Sequence, residues 1–358
     1  MKKNGKIELL RFLFSLSVLG FHLQKYIPGE VSLKNGIHFS FFPHGAIGVE
    51  FFFVLSGFLM ASSVYMDIAR QSESSLGCAT FAFVKKKFMA VLPMRIVVFL
   101  LLFAVAILVK SWDMTTVIKN LVSNIPGLLL IQMSGIGKMY INSIEWYLSA
   151  MLIGMFILYP LLRKYYDAFS RIAAPLIAVF TLGYMYRSYG RLTGVAVWEG
   201  LCYRSMLRAV AELCLGIVCF VVYQHIKDAK WSPIQRGVFT CFETICWLAA
   251  FTMIMLTVPR NYEFCILLFI TLGVPCAFSK QAFCSKLFDN AICFYLGKLS
   301  LPVYLCQLIP INLVPHFLDF LSVKQQMAVA FVATILLAIV TLHGTNALCR
   351  PKKANIAQ

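Results

Sequence analysis

Ten apolar runs, at about 7–27, 45–66, 88–109, 144–163, 171–187, 206–225, 237–258, 262–279, 294–315 and 326–348, follow one another along the chain with short polar connections. An α-helix rises about 1.5 Å per residue, so about 20 residues cross the ~30 Å hydrocarbon core of a bilayer. The runs have close to that length. The expected fold class is all-α: a polytopic membrane protein with about ten transmembrane helices. Of the 358 residues, 60% are hydrophobic and 13% charged, against roughly 45–50% and 25% in soluble domains. A soluble enzyme, a disordered chain and a secreted disulfide scaffold are excluded.

The formal charge of +17 would point to nucleic acid in a soluble domain. Here the basic residues sit in short loops between apolar runs, the pattern that sets orientation in a membrane. Membrane lipid is an expected partner and nucleic acid is not. An even number of spans puts both termini on one side. With that side cytoplasmic, nineteen lysines and arginines fall inside and eleven outside, Arg11 and Arg95 remaining within spans. The bias makes both termini cytoplasmic. Lys2, Lys3 and Lys6 ahead of an apolar run imitate a signal peptide, but Glu8 and Arg11 interrupt the run and no small-x-small cleavage site follows. The run reads as an uncleaved first helix. Most of the twelve cysteines lie inside apolar runs and none forms a CxxC pair, so they read as small buried side chains and no metal site is expected. Residues 1–358 form one membrane-embedded domain, its core at about 7–348, with a short cytoplasmic C-terminal tail. The outer connection 110–143 holds an apolar stretch, Ile125 to Met133, too short to cross, which reads as a re-entrant or interfacial piece. Asp67 to Gly77 reads as a flexible polar loop.

Ionisable side chains at the centre of a span cost about 2.5–3.5 kcal/mol on insertion scales, so those that remain are functional candidates. They are Arg11, His22, Glu50 and Arg95. Arg11 and His22 are eleven positions apart, which at about 100° per residue falls about 20° from three whole turns. Both project from one helix face, ~16 Å apart along it. Glu50 lies about as far below the outer end of the second run as His22 does below that of the first. A carboxylate beside an imidazole would fix its tautomer and raise its basicity. The alternative is that His22 is a satisfied packing residue and Glu50 an interfacial anion.

The segment 45–59, Gly-Ala-Ile-Gly-Val-Glu-Phe-Phe-Phe-Val-Leu-Ser-Gly-Phe-Leu, together with Arg11, ten intervening residues and His22, closely resembles the integral-membrane acyltransferase 3 family. Its hallmarks are an arginine and histidine at this spacing in helix 1 and a GV-acid-FFVLSGF signature in helix 2. Weaker likenesses follow: Phe83 to Pro93 resembles a basic cluster ending in proline, Trp146-Tyr147-Leu148 to Pro160 a tryptophan-leucine to proline helix, and Gly297, Ser300, Tyr304 and Leu305 a late glycine-serine-tyrosine-leucine motif. The chain departs where members often carry arginine (Ala90), glutamate (Met151) and histidine (Gln307).

The resemblance implies transfer of an acetyl group from acetyl-CoA to a sugar hydroxyl of a cell-surface polysaccharide or its lipid-linked precursor, in a bacterial cytoplasmic membrane. A sugar hydroxyl is too weak an acid to attack a thioester at neutral pH unless a base takes its proton as the bond forms, worth about 10²–10⁴ in rate. His22 is the expected base, oriented by Glu50, with a covalent acyl-histidine as the variant. Arg11 and the run Lys85, Lys86 and Lys87 are candidates for the CoA phosphates, although an inside basic run also orients neighbouring spans. Glu145 and Trp146 are candidates to bind sugar, an interfacial aromatic anchor being the alternative. Tyr304 and Gln307, one turn apart, would line the cavity. Ser56 and Gly57 read as small residues that let helix 2 approach a neighbour. His38 and His44 read as interfacial histidines, and Arg187, Arg191, Arg204 and Arg208 as a basic outer loop suited to an anionic glycan or lipid phosphate. A secondary transporter, or an inactive relative serving glycan export, are the competing classes.

Overall fold

The computed structural model describes residues 3–26, 31–32, 38–39, 42–71, 73–136 and 140–348. The side chain of His38, the loop lysines at 34 and 138, and the tail from 349 onward lie outside the described residues.

The first half runs α1 (Gly5–Tyr26), α2 (Gly48–Ala69), α3 (Leu76–Lys110), the short α4 (Met114–Ser123), α5 (Trp146–Lys164) and α6 (Ala174–Tyr189). The second runs α7 (Arg204–Ile226), α8 (Pro233–Met255), α9 (Glu263–Ser279), α10 (Ala291–Cys306), α11 (Leu308–Phe317) and α12 (Val323–Leu348). Two antiparallel pairs of two-residue strands, Val31–Ser32 with His38–Phe39 and Trp198–Glu199 with Cys202–Tyr203, are the strands among the described residues. Among the described residues nine helical segments are long and apolar enough to cross a bilayer, and α10 with α11, bent by 54°, makes a tenth when the pair is taken as one span. Sequence reading and structure thus agree on an all-helical, multi-pass membrane protein. We call the end holding the start of α1 proximal and the opposite end distal.

Packing centres on α2. It lies most extensively against α7, while α1 lies against α10. The α2–α7 crossing is possible because a glycine on each helix faces the other's backbone. A methyl group at Gly57 would come within 2.1 Å of the Leu213 carbonyl oxygen, and one at Gly216 within 2.1 Å of that of Val54. Close approach of this kind is the usual substitute in lipid for a hydrophobic driving force, and it accounts for Gly57 in the signature.

Three expectations need adjusting. The third span begins at Leu76, capped by Ser75, whose side chain accepts from the Cys78 amide. Lys85 to Lys87 are therefore inside a helix and not in the loop before it. The expected flexible loop shortens accordingly, since α2 continues to Ala69. Third, the ninth span breaks after Cys306: Pro310 has no N–H for the carbonyl four residues back and its ring crowds that carbonyl, so the helix turns at Gln307. The connection 110–143 does hold a non-crossing piece, α4 followed by one turn at Ile125–Leu128 and another at Gln132–Ser134.

Candidate active site

Arg11 and His22 leave α1 toward two different cavities. The proximal one, about 430 Å³, is lined by Arg11, Lys3, Lys87, Ser56, Tyr147 and Tyr304 among others. A second proximal cavity of about 630 Å³ shares Lys3, Glu8 and Arg11 with it and adds Ala90 and Lys298. Arg11 stands between them, its Nη1 donating to Glu8 Oε2 at 2.9 Å. Gly297 is glycine because a methyl group there would lie 2.1 Å from that Glu8 oxygen. Of the expected phosphate ligands, Arg11 and Lys87 face the cavities; Lys85 and Lys86 are exposed and line neither. Lys3 and Lys298 take places that sequence reading left empty, and they supply cations beside Ala90, where the resemblance leads one to expect arginine.

The distal cavity, about 720 Å³, is lined by His22, Trp146 and Tyr304 with four cations, Lys25, Arg191, Arg208 and Arg260. Tyr304 lines both the distal and the first proximal cavity. It belongs to a cluster of three rings: Phe52 is 5.9 Å from Tyr147 and 6.3 Å from Tyr304, and the two tyrosines are 6.0 Å apart, centroid to centroid. The Tyr304 hydroxyl donates to the Ile144 carbonyl at 2.6 Å, which pins the ring as a wall between the cavities.

The Gln307 amide orients the His22 ring. Its Nε2 donates to the Tyr304 carbonyl at 2.7 Å, so its Oε1 is the atom facing His22 Nδ1, at 3.2 Å. An amide oxygen accepts and cannot donate, so Nδ1 carries the proton in the neutral ring and the lone pair sits on Nε2. The kink at Gln307 puts this side chain where it does the orienting that was expected of Glu50.

Glu50 is not the partner of that imidazole nitrogen. Its carboxylate is fully buried and ion-paired with Arg208, whose Nε donates to Glu50 Oε2 at 2.7 Å. A second buried carboxylate, Glu212 Oε1, lies 3.4 Å from the same Nε, and the guanidinium sits 5.0 Å from the Trp146 ring centroid. Glu50 faces α7 rather than His22. Arg208 is accordingly a buried helix residue and not part of an exposed basic loop. Arg204 is spent similarly, on Glu199 at 2.6 Å and over the Tyr189 ring at 3.7 Å. Arg187 is exposed and lines none of these three cavities.

Glu145 is likewise unavailable to a sugar. It is fully buried and accepts from Arg95 Nε at 2.7 Å and from Asn142 Nδ2 at 3.0 Å. Arg95 also donates to the carbonyls of Gly127 and Leu128, at 2.8 and 3.2 Å. This pair holds the non-crossing piece against α3 and α5, and explains an arginine inside a span. Trp146 does face the distal cavity.

His44 is buried outside the spans. Its Nε2 lies 2.8 Å from the Val258 carbonyl and its Nδ1 3.7 Å from Glu263 Oε1. Glu263 also accepts from the amides of Leu192 and Thr193 at 2.8 and 3.2 Å. The Glu263 carboxylate holds the His44 imidazole above the usual histidine range against the opposing effect of burial. His44 is therefore a clamp on the distal loops.

Fold and site together define a polytopic helical membrane protein in which a histidine and an arginine on one helix face cavities at opposite ends, divided by a ring of aromatics. The acyltransferase domain model of the acyltransferase 3 family matches residues 4–343, and the chain belongs to that family; it is a membrane acyltransferase. No curated protein and no solved structure matches it.

Proposed function

We propose that this protein is an O-acetyltransferase of a bacterial cytoplasmic membrane. It takes acetyl-CoA from the cytoplasm through the proximal cavities and delivers the acetyl group to a sugar hydroxyl, on a cell-surface polysaccharide or its lipid-linked precursor, in the distal cavity. The observation that carries this reading is the placement of His22 in a roomy distal cavity with its basic Nε2 set by Gln307, behind a wall whose other side faces Arg11.

In the reaction, the sugar hydroxyl oxygen attacks the thioester carbonyl carbon while His22 Nε2 accepts the hydroxyl proton. The C–S bond then breaks, and the departing thiolate of CoA takes that proton from the imidazolium, so the histidine is restored. Arg11, Lys87 and Lys3 converge on one cavity and suit the phosphates of CoA, the arginine as a bidentate fork and the lysines as point charges. The narrow pantetheine arm would pass the aromatic wall and bring the thioester to His22, which accounts for the ~16 Å between the two motif residues.

Purified protein in lipid nanodiscs with radiolabelled acetyl-CoA tests this. Wild type is expected to release CoA and label a glycan acceptor, His22→Ala to do neither while remaining folded in the disc, and Arg11→Gln to raise the KM for acetyl-CoA about tenfold. Near-normal transfer by His22→Ala would remove the proposed base.

A further inference from the structure

We infer that the acceptor of this enzyme carries an oxyanion, a sugar carboxylate or a phosphate, which Arg191 and Arg260 grip at the rim of the distal cavity while the hydroxyl reaches His22. This rests on the acetyltransfer reading above.

Among the described residues, those lining the distal cavity include four cations and no carboxylate. Arg208 is neutralised from behind by Glu50 and Glu212. Arg191 and Arg260 have no hydrogen-bond or ion-pair partner among the described residues, whereas their neighbour Arg204 is paired with Glu199 and stacked on Tyr189. The region thus pairs an arginine where it serves structure and leaves these two unpaired where they face the cavity.

Their position is built. Arg191 follows α6 and Arg260 precedes α9, on loops far apart in sequence. Glu263 joins those loops by accepting from the Leu192 and Thr193 amides, and His44 braces Glu263 in turn. The Glu263 carboxylate lies between these loops but is engaged by His44 and the Leu192 and Thr193 amides and bonds to neither guanidinium, so two like charges are held at one rim, an arrangement suited to a bound anion. Membrane orientation does not explain them either, because cations favour the opposite, cytoplasmic side. Two guanidinium forks suit the planar oxygens of a carboxylate or the oxygens of a phosphate. The rings of Trp146 and Phe21 in the same lining offer faces for a sugar.

The test is binding, without acyl donor, to the full-length protein in phosphatidylcholine nanodiscs, whose lipid is zwitterionic. The probes are radiolabelled trigalacturonate, its carboxyl-reduced neutral counterpart, and geranyl pyrophosphate. The expected result is at least tenfold tighter binding of trigalacturonate than of the neutral trisaccharide, falling to under threefold in Arg191→Gln/Arg260→Gln. If instead the pyrophosphate binds and loses tenfold in that variant while the two sugars do not differ, the oxyanion belongs to a carrier lipid. No acid preference together with no pyrophosphate binding, or a preference that survives both substitutions, overturns the proposal. Unchanged acetyl-CoA affinity of the variant shows that it is folded. Because no turnover is involved, loss of this proposal is distinguishable from loss of the acetyltransferase reading, which fails only if wild type does not consume acetyl-CoA.

Discussion

The hydrogen bond that His22 Nδ1 donates to Gln307 Oε1 biases the ring, and a neutral bond of this kind is worth about 1 kcal/mol net. Gln307→Leu is therefore expected to lower kcat about fivefold to tenfold with the KM for acetyl-CoA unchanged. Gln307→Glu, which keeps an acceptor at that atom, should recover most of the loss. Steady-state kinetics on both variants check this, and an unaltered kcat in Gln307→Leu would mean that the tautomer is set elsewhere. In the sequence Gln307 stood out as a departure from the family pattern and as a cavity-lining candidate one turn from Tyr304. Its partner could not be seen there, because the contact spans 285 positions and depends on a helix break. His44 offers a test in which pH decides the sign. Both its ring nitrogens face acceptors, so its folded-state pKa lies above the unfolded value of about 6.5. The stabilisation is complete below about pH 6.5 and is lost as pH rises through the raised folded value. His44→Gln should thus lower the melting temperature more at pH 6 than at pH 9. An equal loss at both values would show that the Val258 hydrogen bond, and not the charge on Glu263, matters.

Helices differ in how much of their behaviour hydropathy reveals. Nearly every span was visible as an apolar run, because length and composition suffice for that. Which face of a span meets which neighbour was not, because the apolar stretches of α3 and α12 carry no directional stripe. Glu50 shows the consequence: its partner on α7 was not legible. Arg208 and Glu212, four residues apart at the start of α7, were the available signal, since such a spacing puts both on one helix face. Between α3 and α5 the decisive element contact is the buried pair Arg95 and Glu145. Removing one partner of a buried pair costs about 3–5 kcal/mol because the other charge is left uncompensated. Glu145→Ala should therefore reduce thermal stability sharply and expose the Ile125–Leu128 turn to protease, whereas exchanging both for leucine should restore most of the stability. If Glu145→Ala melts like wild type yet loses acceptor binding, the sugar-binding role first read for it returns.

At the scale of the whole molecule, the two cavities impose a requirement that neither meets alone. A donor from one end and an acceptor from the other have to meet at His22 without an open path for water, since water competes with the sugar for the thioester. Tyr304 is the side chain shared by the linings of the distal and first proximal cavities, and it is fixed through its hydroxyl to Ile144, where the non-crossing connection ends and α5 is about to begin. Tyr304→Phe keeps the ring and loses the pin; Tyr304→Ala removes the wall. The expected order for acetyl-CoA hydrolysis without acceptor is therefore Tyr304→Ala well above Tyr304→Phe, and Tyr304→Phe at or slightly above wild type. Transfer to acceptor should fall in the same order, so that the ratio of acetyl transferred to CoA released drops at least tenfold in Tyr304→Ala. Measuring both products in one reaction separates loss of the wall from loss of the base, because His22→Ala is expected to suppress transfer without raising hydrolysis. If Tyr304→Ala hydrolyses no more than wild type and only transfers less, the ring positions substrate and does not divide the cavities, and the barrier between donor and acceptor has to be sought in Phe52 and Tyr147.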